Sequence, residues 1–324
     1  MKVISIPYQG SKRGIAIDLL NQMKLYKPKA KYFIDLFGGG GAMSFTALQM
    51  GYNVLYNEYD SDLYNFVKYT FDRIKSGERS EFGIFPTKFY NFVSREDFKN
   101  ELNNHTNYSE FCRICYSFGN SRKSYLFNSE LETYKKLLHN VVVFQDKESL
   151  DIINNMFGIS LEISNKEKIS ERRLEFMSNL KKVSKSRQQL QQLQQLEQLE
   201  RLQQLERLQQ LERLQQLERL QQLEFSNLSY DEVNLNYKDE DVIIYCDPPY
   251  RNTGEYRLDF AHAKFDSWVR NQNNTIFISE YNTPFYELFS IGKRSSFKSG
   301  VRDLKQEKLY CNKNLSIKKE RRLF

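Results

Sequence analysis

Five consecutive apolar residues, Val242-Ile243-Ile244-Tyr245-Cys246, run directly into Asp247-Pro248-Pro249-Tyr250. A segment that is apolar at every position has no polar face to turn towards water. As a strand it has to lie inside a sheet that is covered on both sides. The two prolines end it, because each has a fixed φ and no amide hydrogen to give to a neighbouring strand. Three more short runs carry the same pattern with turn signals nearby: Lys31–Phe37, Asn53–Asn57 and Thr275–Ser279. Helical patterns lie between some of them. Together these runs predict an α/β fold built on buried parallel strands.

The length of 324 residues suggests about two domains, at roughly 150 residues each. Hydrophobic residues make up 40% and charged residues 27%, which is globular composition. Lys and Arg number 48 against 41 Asp and Glu, a formal charge of +7. That excess suits a polyanionic partner without establishing one. Neither a long apolar run nor a signal-like apolar segment at the N-terminus is found, so the expectation is a cytoplasmic protein that does not enter membranes. Cys112-x-x-Cys115 has no second Cys or His pair at ligand spacing, and His105, His139 and His262 show no metal spacing, so no metal is expected.

Two segments interrupt the strand pattern. The stretch 71–185 is polar and rich in Asn and aromatics and reads as an inserted unit. From Leu190 to Leu223 the chain contains only Leu, Gln, Glu and Arg, around the hexad Leu-Gln-Gln-Leu-Glu-Arg, with leucine at every third position. These are strong helix formers, and a continuous helix would span roughly 50 Å. A step of three residues turns the leucine stripe by 300°, so it winds round the helix and offers no seam to a single partner helix. The expectation is a helical repeat over 186–224 tolerated at the surface. Removing Gln203 to Leu220, 18 residues and five turns, should then cost little stability.

Three motifs carry chemistry. Asp35-Leu36-Phe37-Gly38-Gly39-Gly40-Gly41 is a strand running into four glycines, where backbone can approach a ligand at the carboxyl end of a parallel strand. It has neither dinucleotide-loop spacing nor the Gly-Lys-Ser/Thr of a phosphate loop. Glu58 follows the next strand and can accept hydrogen bonds from ribose hydroxyls. The third motif is decisive: after Val242–Cys246, a rigid turn aims the Asp247 carboxylate and the Pro248 carbonyl at one amino group, while Tyr250 supplies a ring to stack on.

Asp247-Pro248-Pro249-Tyr250 after a strand resembles the catalytic motif of the Dam-like DNA adenine-N6 methyltransferases. Phe37-x-Gly39-x-Gly41 resembles their S-adenosylmethionine motif, and Pro7-Tyr8-Gln9-Gly10-Ser11-Lys12 their N-terminal cofactor motif. Asn57-Glu58-x-x-x-Asp62-Leu63 is similar to their acidic-loop segment, with Glu in place of the commoner Asp. The resemblance covers about residues 1–70 and 223–285, with four motifs in the family's order. It implies a Rossmann-like, mostly parallel methyltransferase core: 1–70 forms its first part, 71–185 an inserted target-recognition region, and 225–324 its second part with the catalytic motif and a basic tail. It further implies that Tyr8, Lys12, Asp35, Phe37, Gly39, Gly41, Glu58, Tyr230 and Asp247 bind S-adenosylmethionine, and that Asp247, Pro248 and Tyr250 act on the base. The product cofactor would be S-adenosylhomocysteine.

Target recognition is expected in the inserted unit, with Arg113, Arg122, Lys123 and Tyr125 as candidate DNA contacts; ordinary solvated charge is the alternative. The basic tail, Lys313 and Lys318–Arg322, would add non-specific attraction to DNA. The expected partner is double-stranded DNA, with a cognate restriction endonuclease as a candidate partner and the enzyme itself a monomer. Two other readings stay open at this point. One is a cytosine-N4 or RNA amino-group methyltransferase, against which Asp247 argues. The other is an inactive scaffold organised by the repeat.

Overall fold

The structure is a computed structural model and describes residues 1–185, 203–251, 260–294 and 304–315. In chain order its helices and strands are α1 (Ala16–Tyr26), β1 (Tyr32–Asp35), α2 (Ala42–Gln49), β2 (Asn53–Asn57), α3 (Ser61–Ser76), α4 (Arg95–Glu101), α5 (Asn107–Tyr116), α6 (Ser129–Phe144), α7 (Lys147–Phe157), α8 (Ile169–Lys185), α9 (Gln203–Glu212), β3 (Leu223–Ser226), β4 (Val242–Cys246), α10 (His262–Arg270), β5 (Ile276–Glu280), β6 (Tyr286–Arg294) and β7 (Leu304–Cys311). They fall into two compact units. The first comprises Met1–Ser5, Gly10–Tyr64 and Gln216–Phe324; the second comprises Ile6–Gln9 and Asn65–Gln215.

The first unit is α/β. Its seven strands form one sheet in the order β3-β2-β1-β4-β5-β7-β6. β1 to β5 pair in parallel, while β7 runs antiparallel between β5 and β6. This is the mostly parallel, Rossmann-like sheet that the apolar runs predict. Every residue of β4 and β5 is buried. On one face Ile34, Val242, Ile244, Cys246, Ile276 and Ile278 pack against Phe265 and Val269 of α10. On the other, Phe33 stacks on Tyr245, and Phe277 meets Tyr26 of α1. β5 begins one residue later than the run Thr275–Ser279 suggests, because the Thr275 hydroxyl and amide both donate to the Asp239 carboxylate. The β6–β7 hairpin was not legible in the sequence.

The second unit is helical and packs on aromatic side chains. Phe89 meets Phe85 and Phe111 at ring separations of 5.2 and 4.9 Å. Side chains cap its helices: Ser94 and Asp97 form a capping box on α4, while Asn128 and Asp146 cap α6 and α7.

The repeat departs from expectation. Residues 186–202 lie outside the described residues. From Gln203 onward it is neither one helix nor a surface arm. α9 ends at Glu212, a 3₁₀ turn covers Arg213–Gln216, Arg219 adopts φ +60°, a second 3₁₀ turn covers Leu220–Gln222, and Leu223 starts β3 beside β2. Leu205, Leu208, Leu211, Leu214, Leu217 and Leu223 are all buried. Identical hexads also do different work. Arg207 donates to the carbonyls of Ile114, Cys115 and Ser117 around the C-terminus of α5, a favourable place for a cation. The Glu212 carboxylate accepts the Tyr90 hydroxyl and the Ile84 amide. A winding stripe cannot be buried by one partner helix, but a chain that changes conformation within a fold buries six of the seven leucines from Leu205 to Leu223.

Removing Gln203–Leu220 brings residues 185–202 to those positions: Leu190, Leu193, Leu196 and Leu199 replace four of the five buried leucines, but Arg187, Gln189 and Gln194 take the places of Leu205, Arg207 and Glu212. That variant should lose at least the roughly 2–5 kcal/mol of one truncated buried leucine, a large part of a typical net stability of roughly 5–15 kcal/mol. Removing only Leu208–Arg213 should be tolerated. The copies at 202–207, 208–213 and 214–219 are identical, so the copies on either side supply the same residues to every buried position. The one change is Glu197 standing where Gln203 was. Denaturant unfolding checks this: the six-residue deletion should unfold near wild type, and Leu211→Ala should lose about 2–5 kcal/mol.

Candidate active site

The strand order reverses between β1 and β4: from β1 the chain proceeds outward to β2 and β3, and from β4 it proceeds outward the other way to β5. Open parallel sheets bind ligands in the crevice beyond the carboxyl ends of strands at such a point. Here those two ends carry the glycine loop and Asp247-Pro248-Pro249-Tyr250. Tyr32 to Asp35 pair with Val242 to Tyr245, and the Leu36 amide donates to the Tyr245 carbonyl at 3.0 Å. The register thus sets the start of one motif beside the start of the other.

The glycine loop is fixed from outside. The Gly38 amide donates to the Asn57 carbonyl at 2.7 Å, and a Cβ on Gly38 would collide with the Tyr56 ring. Gly41, at φ +73°, caps α2, and a Cβ there would meet Phe45. The Tyr56 hydroxyl donates to the Gly39 carbonyl at 2.8 Å. Glu58 does more than await a ribose: Oε2 accepts the Gly39 amide at 2.7 Å and Oε1 accepts the Asp60 amide at 2.8 Å. A carboxylate oxygen can accept more than one hydrogen bond.

Asp35 sits beneath the loop, 1% exposed, accepting the Ser44 hydroxyl of α2 at 2.7 Å. Burial pushes its carboxyl up to about 7, and the nearby Asp247 and Glu58 charges add to the rise. Phe37 stacks face to face on Tyr230 at 5.6 Å, with Phe260 and Phe265 edge-on. Trp268 completes the cluster against Tyr230 at 5.0 Å. The resemblance paired Phe37 and Tyr230 with the cofactor but did not mark Phe260, just before α10, or Trp268 within it, since an aromatic at a helix reads as core.

At the end of β4, Asp247 keeps a fifth of its side chain exposed, and its Oδ1 accepts the Lys12 ammonium at 2.7 Å. Lys12 is 3% exposed; its Nζ also lies 3.5 Å from Glu307 and 4.6 Å above the Tyr250 ring. The resemblance assigned Lys12 to the cofactor, and the structure brings its amine to the Asp247 carboxylate. The Tyr250 hydroxyl donates to Glu307, and its ring meets Tyr281 edge-on at 4.7 Å. Glu280, at the end of β5, accepts the amides of Arg251 and Tyr281, and burial pushes its carboxyl up to about 7. Neither Glu280 nor Glu307 stands in a motif read from sequence. Tyr8 lies in Ile6–Gln9, with the second unit.

Two of the expected DNA contacts are corrected. Arg113 is 3% exposed; its Nε pairs with Glu110 at 2.7 Å and Nη1 donates to the carbonyls of Glu101, Leu102 and Asn104. Arg122 pairs with the other Glu110 oxygen at 2.7 Å, its side chain 9% exposed. Glu110 is fully buried, and a buried carboxylate requires charged partners, so both arginines serve the interior of the second unit. Tyr125 is half-buried and donates to the Val93 carbonyl. Lys123 is exposed. Lys313 is engaged with Asp239 and the Asn273 carbonyl, and Lys318–Arg322 lies outside the described residues.

Residues 8–267 match the D12 class N6 adenine-specific DNA methyltransferase family. The chain belongs to that family. It is a DNA adenine methyltransferase, and the glycine loop and Asp247 both fall within the matched span. No curated protein shows significant similarity to the chain. No helix among the described residues is long and apolar enough to cross a membrane, and those residues hold no cluster suited to a metal ion.

The raised Asp35 carboxyl gives this methyltransferase a pH-dependent stability. Its folded value near 7 lies above the ordinary 3.8, so between those values the native state holds a proton that the unfolded chain releases. Stability therefore falls as pH rises through that window, by on the order of 4 kcal/mol for the whole shift. Asp35→Asn keeps an acceptor for Ser44 and removes the titration. Thermal melts between pH 5 and 8 should fall more steeply for wild type than for the variant.

Proposed function

We propose that this enzyme transfers a methyl group from S-adenosylmethionine to the exocyclic N6 amine of an adenine flipped out of double-stranded DNA, at a specific sequence. The observation that carries the reading is the pairing of Asp247 and the glycine loop at the β1/β4 reversal, with Asp247 partly open and its neighbours buried. S-adenosylmethionine supplies a methyl group on a cationic sulfonium. The residues present fit such a cofactor: Glu58 can accept from ribose hydroxyls beyond its two loop bonds, and the Phe37–Tyr230 cluster offers aromatic faces. Asp35, Asp247, Glu280 and Glu307 make the surroundings acidic enough to favour a cation.

The amine of adenine is a poor nucleophile because its lone pair is delocalised into the ring. Asp247 and the Pro248 carbonyl accept its two N–H bonds and favour a more tetrahedral, nucleophilic nitrogen. Tyr250, its hydroxyl tied to Glu307 and its edge against Tyr281, stacks on the flipped base. Holding amine and methyl donor together removes much of the entropic cost of their encounter. Site recognition is assigned to the second unit, where Lys123 is exposed.

Asp247→Ala should lower single-turnover methyl transfer by about 10²–10³, the loss typical of one preorganised polar group, with cofactor affinity nearly unchanged. Lys12 keeps Glu307 as a partner, so the variant does not leave a buried cation alone. A rate within a few-fold of wild type on cognate DNA would sink the assignment.

Tyr250→Ala should weaken capture of the flipped base by roughly 1–3 kcal/mol, the range for base–aromatic stacking. A fluorescent base analogue at the target position reads this directly. An unchanged signal on binding would rule out Tyr250 as the platform.

A further inference from the structure

Glu307 belongs to no motif, yet it touches two residues of the catalytic cluster. β7 runs antiparallel to β5, with Lys308 opposite Glu280, and this places Glu307 beside the carboxyl end of β4. Its side chain is 1% exposed. Oε1 accepts the Tyr250 hydroxyl and lies 3.5 Å from the Lys12 ammonium. Oε2 is buried and has no hydrogen-bond partner among the described residues.

This arrangement is costly for a residue with only a packing role. Lys12 already has the partly open Asp247 at 2.7 Å, so the buried Glu307 carboxylate gives the trio a formal negative charge. Burying such a charge is unfavourable unless it is matched, and a buried acceptor without a partner adds to the penalty. Glutamine would hold the Tyr250 hydroxyl without that charge. What the carboxylate adds is a second attachment for Lys12.

We infer that Glu307 is a positioning residue for methyl transfer, which fixes the Tyr250 ring through its hydroxyl and shares the Lys12 ammonium so that Asp247 keeps acceptor capacity for the target amine. A carboxylate oxygen accepts two hydrogen bonds, and Lys12 takes one on Oδ1 of Asp247. With Glu307 present, Lys12 has an acceptor to move to when the amine arrives. Without it, one carboxylate fewer shares that ammonium, and more of its charge falls on Asp247. The inference rests on the function proposed above and adds to it a residue from outside the matched span of the family.

The test compares wild type, Glu307→Gln, Glu307→Asp and Tyr250→Phe. Cofactor affinity is read by calorimetry, base flipping with a fluorescent analogue, and single-turnover methylation at saturating DNA and S-adenosylmethionine. Glu307→Gln should bind the cofactor within about three-fold of wild type, retain the flipping signal and methylate at least ten-fold more slowly. Glu307→Asp, which keeps the charge, should recover at least three-fold of that loss. Tyr250→Phe, which removes the same hydrogen bond from the other side, should lower the flipping signal. A folded Glu307→Gln with the wild-type single-turnover rate overturns the inference. So does a loss of cofactor affinity as large as the loss of rate. If Glu307→Gln does not fold, Tyr250→Phe decides, and an unchanged flipping signal overturns it. Wild type that places no methyl on adenine would instead overturn the function on which the inference rests.

Discussion

The site depends on two strands lying side by side at the point where the sheet changes direction, β4 buried throughout and β1 buried from Phe33 onward. β4 has no polar side chain before Asp247, and β1 has none between Tyr32 and Asp35. Burial locks their register, because a one-residue slip would carry the inward set to the other face. That register leaves the glycine loop and Asp247 emerging together. The loop's shape then follows from contacts with β2: Gly38 on the Asn57 carbonyl, Tyr56 on Gly39, Glu58 on the Gly39 amide. The Asp247 carboxylate and the loop follow directly from backbone pairing in the sheet core.

Electrostatics sets the second level of organisation. Asp247 and Glu307 share the buried Lys12 ammonium, and the charge of Asp247 is also felt by Asp35 and Glu280. Burial lifts two of the four carboxyls, Asp35 and Glu280, to about 7, so the site moderates its own charge near neutrality. Asp247 remains the partly open member, with Lys12 on one oxygen. This suits a reaction in which a cationic sulfonium gives up its methyl group while positive charge grows on the attacking nitrogen. The acidic setting favours both ends of that transfer, and the shared lysine limits the repulsion among the carboxylates.

The repeat shows how far context overrides local preference. Identical Leu-Gln-Gln-Leu-Glu-Arg copies become α-helix, 3₁₀ turn and the approach to a strand. Arg207 and its counterparts Arg213 and Arg219 have the same sequence neighbours on both sides, yet Arg207 is buried against carbonyls and Arg219 sits in the left-handed region. Helix propensity differs by less than about 1 kcal/mol among such residues, which is small against the burial of a leucine. Where each leucine finds apolar neighbours therefore decides the conformation of its copy.

The sequence by itself determined the sheet core and the chemistry at its edge. Apolar runs without a polar face admit only central strands, and Asp247-Pro248-Pro249-Tyr250 admits only an abrupt stop with a carboxylate and a ring. Phe37, Glu58 and Tyr230 were legible for the same reason: each follows directly from a strand or a motif. The tertiary structure alone decided the rest. Glu280 and Glu307 reach the site through the pairing of β5 and β7, contacts formed by residues distant in sequence from Asp247 that no local pattern marks. Arg113 and Arg122 looked like surface cations until the buried Glu110 claimed both. The leucine repeat looked like an exposed helix because its period fits no partner, and only a fold that surrounds it could bury it. In each case the physical reason is the same: periodicity reports which way a side chain points along its own element, and what it meets there is set by the packing of the other elements.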